Sequence, residues 1–149
     1  MFYLLITALI WGGDSVVKRK VEESSLGKKT RSICGGRLLL QKVHNEGAIL
    51  GIFEDKPEVV KNISLGMMAV IAVIYLNLLQ EKGKAVLKIA FALTAGGAAS
   101  NVTDRVRNHY VVDYFSIQTK WKRLRRIVFN LSDLCIMVGL TLFVIQKSK

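Results

Sequence analysis

The sequence predicts an α-helical integral membrane protein with four transmembrane helices in a single domain, residues 1–149. The first observation is compositional: 51% of the residues are hydrophobic, yet the formal net charge is +11. That combination is expected when apolar segments lie in lipid and basic segments lie at the headgroups. The second is segmental: apolar residues concentrate at about 2–18, 59–79, 85–103 and 127–145. A spanning helix needs roughly 20 such residues.

The first and third segments are shorter or more polar than the other two. We expect them to span only if their polar faces turn toward the interior of a helix bundle. The small-residue run Ala95–Ser100 permits close helix packing, and room for a substrate chain is its alternative use. Residues 1–13, MFYLLITALIWGG, have no basic n-region and no A-x-A site, so we expect an uncleaved first span.

Two long polar connections, residues 19–58 and 105–126, lie on one side of the predicted bundle, and the turn Gln80–Lys84 lies on the other. Within the first connection, Arg37–Val43 fits a paired strand, although a short helix has the same pattern. Residues 19–56 hold eight Lys and Arg, and residues 105–126 hold seven. The positive-inside rule alone therefore places both long connections in the cytoplasm.

Polar residues inside the apolar spans are the most informative feature, because ionisable groups in a membrane are costly and face the protein interior. Asp133 is the sharpest case. A helix beginning near Ile127 would place it about 9 Å along the helix axis, with Asn130 on the same face. No Lys or Arg lies within four residues of Asp133, so this carboxylate needs a remote partner or a proton.

Two further groups of polar residues share helix faces. Asn101 precedes Asp104 and Arg105 by three and four positions, which puts all three on one face if the helix continues. Asp14 and Lys18 form an i, i+4 pair at the end of the first span, which predicts a structural ion pair.

Five short fragments occur in order from residue 14 to residue 133: DSVVK (14–18), NEGAILG (45–51), GGAASNVTDR (96–105), VVDY (111–114) and FNLSD (129–133). Together they resemble the signal peptidase II family, the lipoprotein signal peptidases, whose motifs read D-x-x-x-K, N-x-G-A-a-f-G, G-G-a-x-g-N-x-x-D-R, V-v-D-f/y and F-N-x-a-D. The departures are Ile49-Leu50, Ser100 where glycine is common, Ser132 where alanine is common, and a very basic segment 118–126.

The resemblance implies a fold and a location. Four helices would enter from a cytoplasmic N-terminus into the bacterial inner membrane. The first long connection would form a small β-cradle on the outer surface, with an amphipathic helix nearby and the active site toward the extracytoplasmic side. This orientation is opposite to the one that charge counting gives.

The resemblance also implies an activity: an aspartic endopeptidase that cuts prolipoproteins just before a cysteine that carries diacylglycerol. It assigns a catalytic dyad to Asp113 and Asp133. Two close carboxylates cannot both ionise easily, so they share a proton; one activates water while the other polarises the scissile carbonyl. Asp104 is the competing candidate for a place in the dyad. The other interpretation gives Asp104 a structural supporting role, like that of Asp14 and Lys18. The residues implied to line the substrate groove are Asn45, Gly47, Asn101, Arg105 and Asn130.

We expect no cofactor and no metal. His44 and His109 are assigned to loops without a third ligand at metal spacing, and a metal site needs three or four convergent ligands. Cys34 and Cys135 are expected to stay unpaired.

Two other functions fit the sequence less well. Buried aspartates also mark proton and ion pathways, which a small transporter subunit would use. A non-catalytic relative that binds lipidated peptides is the other alternative, although both dyad aspartates are present. Nucleic-acid binding is excluded, because the spans place the basic connections against anionic lipid headgroups. The expected partners are prolipoproteins and membrane lipids, and the chain is expected to work as a monomer.

Overall fold

A computed structural model describes residues 1–27, 29–47 and 53–148. The chain is mostly helical and carries one small antiparallel sheet. Its helices and strands are α1 (Phe2–Glu23), β1 (Arg31–Ile33), β2 (Leu38–Asn45), α2 (Pro57–Gln80), α3 (Ala85–Asn108), β3 (Val111–Ile117), α4 (Lys122–Arg125) and α5 (Leu131–Lys147).

The long helices correspond to the four predicted apolar segments, with three shifts of boundary. Helix α1 continues past residue 18 to Glu23. Helix α3 continues to Asn108, so Asp104 and Arg105 lie on the helix, and the connection does not begin at residue 105. Helix α5 begins at Leu131 and not near residue 127. The physical reason is that Phe129 is held in an antiparallel bridge with Phe115 of β3.

Two helices in the described part of the chain, α2 and α3, are long and apolar enough to cross a membrane by length and composition. Helix α5 is apolar but has 17 residues, and α1 carries Asp14 and Lys18 within its length. On α2, large apolar side chains point outward, among them Ile63, Met67 and Val70.

Helix α3 is the centre of the bundle and packs against α1, α2 and α5. Its small residues make this possible. A Cβ at Gly96 would lie 2.9 Å from the carbonyl oxygen of Thr7 on α1, and a Cβ at Gly97 would lie 2.5 Å from that of Ser132 on α5. The run Ala95–Ser100 therefore packs α3 between these two helices.

The sheet has the strand order β1-β2-β3, and both pairings are antiparallel. Strand β2 confirms the strand interpretation of residues 37–43. Strand β3 was not predicted, and it comes from the connection after α3. Its residues Val112 and Tyr114 pack with Val21 of α1 in a small buried cluster. This packing brings the β3 strand to the end of the helix bundle.

The predicted amphipathic helix after α1 is not present among the described residues between α1 and α2. Those residues form two short 3-10 turns and the strands β1 and β2. Residues 48–52, which include part of the fragment NEGAILG, lie outside the described residues.

Candidate active site

Asp113 lies in the middle of β3 and is 3% exposed. Two asparagine side chains hold its carboxylate. Asn45 of β2 donates to Oδ2 at 3.0 Å, and Asn130 donates to Oδ1 at 2.7 Å. Val43 is the direct partner of Asp113 across the sheet, so Asn45 reaches it as a diagonal neighbour.

Asp133 lies in the first turn of α5, and the expectation that it lies about 9 Å into the helix is wrong because the helix begins at Leu131. It forms a capping box with Asn130: each residue accepts the other's backbone N–H through its side chain, at 2.9 and 3.0 Å. Asn101 of α3 donates to Oδ1 of Asp133 at 2.9 Å. The remote partner of this carboxylate is therefore an amide.

Asn130 connects the two aspartates of the predicted dyad. Its side-chain amide donates to Asp113, and its backbone N–H donates to Asp133. Asn130 itself is fully buried. Burial in the first place, and the nearby charge of Asp133 in the second, raise the pKa of Asp113 to about 6. The two carboxylates are thus bound by the same buried asparagine and lie close enough for the charge of one to affect the other.

Lys18 of α1 is 2% exposed and is connected to Asp133 through the side chain of Asn101. Its Nζ atom lies 2.9 Å from Asp104 Oδ2, 3.1 Å from Asp14 Oδ2 and 2.8 Å from Asn101 Oδ1. The predicted Asp14–Lys18 ion pair is therefore present, and it also includes Asp104. Asp104 further accepts the backbone N–H of Val112 at 3.2 Å. One oxygen of Asp104, Oδ2, thus contacts both the Lys18 cation and the backbone of β3, which fits a supporting position.

Asp14 is fully buried and is surrounded by hydroxyl donors that the sequence did not predict as its partners. Tyr114 donates to Oδ1 at 2.8 Å, Ser100 donates to Oδ2 at 2.7 Å, and Ser132 also donates to Oδ2. Ser100 and Ser132 are the two positions where the chain departs from the small residues of the family motifs. Those departures were the available signal, because each adds a hydroxyl to a buried position.

Arg105 extends from α3 toward the end of β2. Its Nη2 donates to the carbonyl oxygen of Gly47 at 3.1 Å. Its Nε is buried and has no hydrogen-bond partner among the described residues. The Arg105 guanidinium lies near the carboxylates of Asp113, Asp133 and Asp104.

A cavity of about 200 Å³ adjoins the site between α2, α3 and α5. Its polar end is formed by Asn101 and Arg105, and its apolar walls include Met67, Ile71 and Ile136. A larger cavity of about 520 Å³ lies between α1 and α3, where charged groups of both signs line it. Of these two cavities, the smaller one combines apolar walls with a residue, Asn101, that contacts Asp133.

The two histidines lie away from the aspartates. His44 lies on β2 and not in a loop; it stacks on Tyr110 and contacts Glu22 at 3.0 Å. His109 ends α3 and lies 2.9 Å from Glu58. In the described ranges no three His, Cys, Asp or Glu side chains are grouped to hold a metal ion.

The sequence is similar to that of a known protein family over nearly its whole length. The family model of signal peptidase (SPase) II matches residues 6–148. The lipoprotein signal peptidase of Moorella thermoacetica is 30% identical over 93% of this chain and 87% of its own length. The lipoprotein signal peptidase of Listeria monocytogenes is 32% identical over 97% of this chain and 92% of its own length.

Solved structures share the fold. Two bacterial membrane enzyme structures, solved by the in meso method at 2.3 and 1.9 Å, superpose with TM-scores of 0.82 and 0.81. Both are 21% identical to this chain in sequence. The first superposition covers 97% of this chain and 86% of the solved chain. The second covers 99% of this chain and 93% of the solved chain. With the family match extending over nearly the whole sequence, this chain belongs to the signal peptidase II family of membrane proteases.

Proposed function

We propose that this protein is an aspartic endopeptidase of the bacterial cell membrane. It removes the signal peptide from diacylglyceryl-modified prolipoproteins by cutting just before the lipidated cysteine. Membership of the signal peptidase II family supports the substrate class. The observation that carries the mechanism is the joint hydrogen bonding of Asp113 and Asp133 by Asn130.

In this proposal the two carboxyl groups hold one proton and act as a unit. The ionised carboxylate takes a proton from a water molecule as the water oxygen attacks the scissile carbonyl carbon. The protonated carboxyl donates to the carbonyl oxygen. When the tetrahedral intermediate collapses, the C–N bond breaks and the departing nitrogen takes the proton that came from the water. The former carbonyl oxygen re-forms its double bond and returns its proton to the other carboxylate. The raised pKa of Asp113 supports a shared proton near neutral pH.

The substrate groove is assigned to polar groups around the dyad and to the adjoining cavity. The guanidinium of Arg105 and the side-chain amides of the nearby asparagines would hold the peptide backbone. The cavity of about 200 Å³ offers apolar walls for an apolar part of the precursor. The groove residues are Asn45, Gly47, Asn101, Arg105 and Asn130.

We further propose that α1, α2, α3 and α5 all cross the membrane. The charged residues Asp14 and Lys18 are buried inside the bundle, so they do not oppose insertion of α1. Helix α5 has 17 residues, or about 26 Å, close to the roughly 30 Å of the hydrocarbon core. Both helices expose large apolar side chains outward: Phe2, Leu5 and Leu9 on α1, and Met137, Leu140 and Val144 on α5.

The family supports an extracytoplasmic sheet and active site with both termini in the cytoplasm, while the charge count favours the reverse. We assign the excess charge to lipid contact. The segment 120–126 carries exposed Lys120, Lys122 and Arg125 beside Trp121, which is 74% exposed. Basic and Trp side chains are typical of contact with anionic headgroups at a membrane surface. Nothing in this arrangement needs a second copy of the chain, so we propose a monomer without cofactor.

The transporter alternative is separable by experiment. A proton-coupled flux into vesicles that disappears with Asp133→Asn would favour transport. A relative that only binds lipidated peptides would hold the precursor without cutting it. Two closely placed carboxylates and the protease family favour hydrolysis over both.

The test is cleavage of a diacylglyceryl-modified lipoprotein precursor by the purified protein in detergent, followed by gel shift and mass spectrometry. The matched control is the same precursor without the lipid. We expect one cut, before the lipidated cysteine, and little cleavage of the unlipidated precursor. Binding without cleavage would contradict the protease assignment, and equal cleavage of both precursors would contradict the substrate class.

A further inference from the structure

We propose that the hydroxyl of Tyr114, held by the buried Asp14, is a positioning group that sets the placement of Asp133 relative to Asp113. The inference rests on the proposed function and adds a residue to it. Tyr114 follows Asp113 directly in β3, and its side chain reaches the beginning of α5, where Asp133 lies. One residue therefore connects the backbone of one aspartate to that of the other.

The contact with α5 is a hydrogen bond to its first residue. The hydroxyl oxygen of Tyr114 accepts the backbone N–H of Leu131 at 2.8 Å. The first N–H groups of a helix have no partner within the helix, so an outside acceptor determines how the helix end is held. Leu131 lies between Asn130, which binds both aspartates, and Asp133. A displacement of Leu131 therefore displaces the capping box as well.

The backbone on the other side of Asn130 is also held by β3. The N–H groups of Tyr114 and Phe115 each lie 3.0 Å from the carbonyl oxygen of Phe129, and the N–H of Phe129 donates to Phe115 at 2.7 Å. Residue 129 is thus held by backbone bonds, and residue 131 is held by the tyrosine hydroxyl. Of these contacts, only the hydroxyl bond can be removed by a conservative side-chain change.

Asp14 determines the direction of the hydroxyl. Tyr114 donates its proton to Asp14 Oδ1 at 2.8 Å, which leaves its oxygen lone pairs for Leu131. Burial, and then the charge of Asp14, raise the pKa of Tyr114, so the hydroxyl keeps its proton. Ser100 and Ser132 donate to the other oxygen of Asp14 and hold the carboxylate in place. None of these three hydroxyl groups contacts Asp113 or Asp133.

The test compares Tyr114→Phe with Tyr110→Phe. Each change removes one hydroxyl, but among the described residues that of Tyr110 contacts only Glu22 of α1, at 3.4 Å. Precursor cleavage is measured against pH and substrate concentration, below the unfolding midpoint of each variant. A misplacement of about 1 Å at a catalytic group costs roughly 100-fold in rate. For Tyr114→Phe we expect kcat to fall about 10- to 100-fold with KM within about twofold, while Tyr110→Phe matches the wild type.

The pH profile separates positioning from a merely structural role. Moving the two carboxyls apart weakens their interaction and brings their apparent pKa values together, so the bell-shaped profile should narrow. A lowered unfolding midpoint with unchanged kcat and unchanged profile would overturn the inference and leave the protease assignment intact. An effect on KM alone would also overturn it. If the wild type itself does not cleave the precursor, both the proposed function and this inference fail.

Ser132→Ala provides a second route if Tyr114→Phe does not fold. It removes one donor from Asp14 without changing Tyr114. We expect a smaller fall in kcat and the same narrowing of the pH profile. Where Tyr114→Phe does fold, the loss of kcat in the double variant should be smaller than the product of the two single losses, because both act through Asp14. Independent, multiplicative losses would contradict a shared action through that carboxylate.

Discussion

The side-chain amide of Asn130 lies 2.7 Å from Oδ1 of Asp113. The same residue caps α5, and its backbone N–H binds Asp133. The buried side chain of Asn130 thus both caps α5 and contacts Asp113, while its backbone contacts the carboxylate of Asp133. The cap explains why Asn130 precedes α5, and the contact with Asp113 explains why the helix begins beside β3.

Replacing Asn130 should separate these two roles. In Asn130→Ser the hydroxyl can still cap the helix, but it is too short to reach Asp113. We expect nearly unchanged stability and a large loss of cleavage. Asn130→Ala loses the cap as well, which costs about 0.5–2 kcal/mol of stability. Thermal unfolding in detergent and cleavage assays measure the two effects. Wild-type cleavage by Asn130→Ser would show that the contact with Asp113 is dispensable.

Lys18→Met should destabilise the protein strongly. The change leaves Asp14 and Asp104 buried without their cation, and breaking a buried ion pair costs about 3–5 kcal/mol. Lys84→Met is the matched control, because Lys84 pairs with Glu81 at the exposed turn between α2 and α3. Exposed pairs contribute about 0–1 kcal/mol. Denaturant unfolding in micelles measures both, and an equal loss in the two variants would contradict the importance of burial.

The raised pKa of Asp113 predicts how stability depends on pH. Its value of about 6 in the folded protein exceeds the ordinary 3.8. The folded state therefore binds more protons between these values, and this contribution to stability is complete below about pH 4 and disappears as the pH rises through 6. Two pKa units correspond to roughly 3 kcal/mol. Between pH 4 and pH 7, the thermal unfolding midpoint of the wild type should decrease relative to that of Asp113→Asn. The same pH dependence in both proteins would contradict the raised pKa of Asp113.

Cys34 offers a direct test of the orientation. It is exposed in the turn between β1 and β2, in the same sheet as Asp113 of β3, while Cys135 lies within α5. In a Cys135→Ala variant, Cys34 is the single thiol. We expect a membrane-impermeant maleimide to label it in intact spheroplasts without permeabilisation. Labelling only after the membrane is opened would place the sheet in the cytoplasm, as the charge count implies.

Much of the bundle could be predicted from the sequence, because apolar length and the small residues of α3 are local signals. The predicted position of Asp133 was wrong, because the beginning of α5 depends on the bridge between Phe129 and Phe115. That bridge is a contact between segments that are distant in the sequence. Strand β3 was missed for the same reason: its apolar run VVDYFSI becomes a strand only by pairing with β2.

The site residues divide in the same way. The pairing of Asp14 with Lys18 is a spacing within one helix, and it could be predicted. The convergence of Tyr114, Ser100 and Ser132 on Asp14 joins β3, α3 and α5, and no spacing along the chain indicates it. Among these residues, only Ser100 and Ser132 indicated a buried polar cluster, because they are polar residues in an otherwise small or apolar context.

The most direct test of the central claim is the rate of precursor cleavage by Asp113→Asn and Asp133→Asn, with Glu81→Gln as the control. Glu81 lies at the exposed turn after α2, and Asn keeps the size of each aspartate while removing its charge. General acid–base groups contribute roughly 10²–10⁴ in rate. We predict losses of at least about 100-fold for both Asp variants with folded protein, and wild-type rates for Glu81→Gln. Cleavage retained by either Asp variant would contradict the dyad.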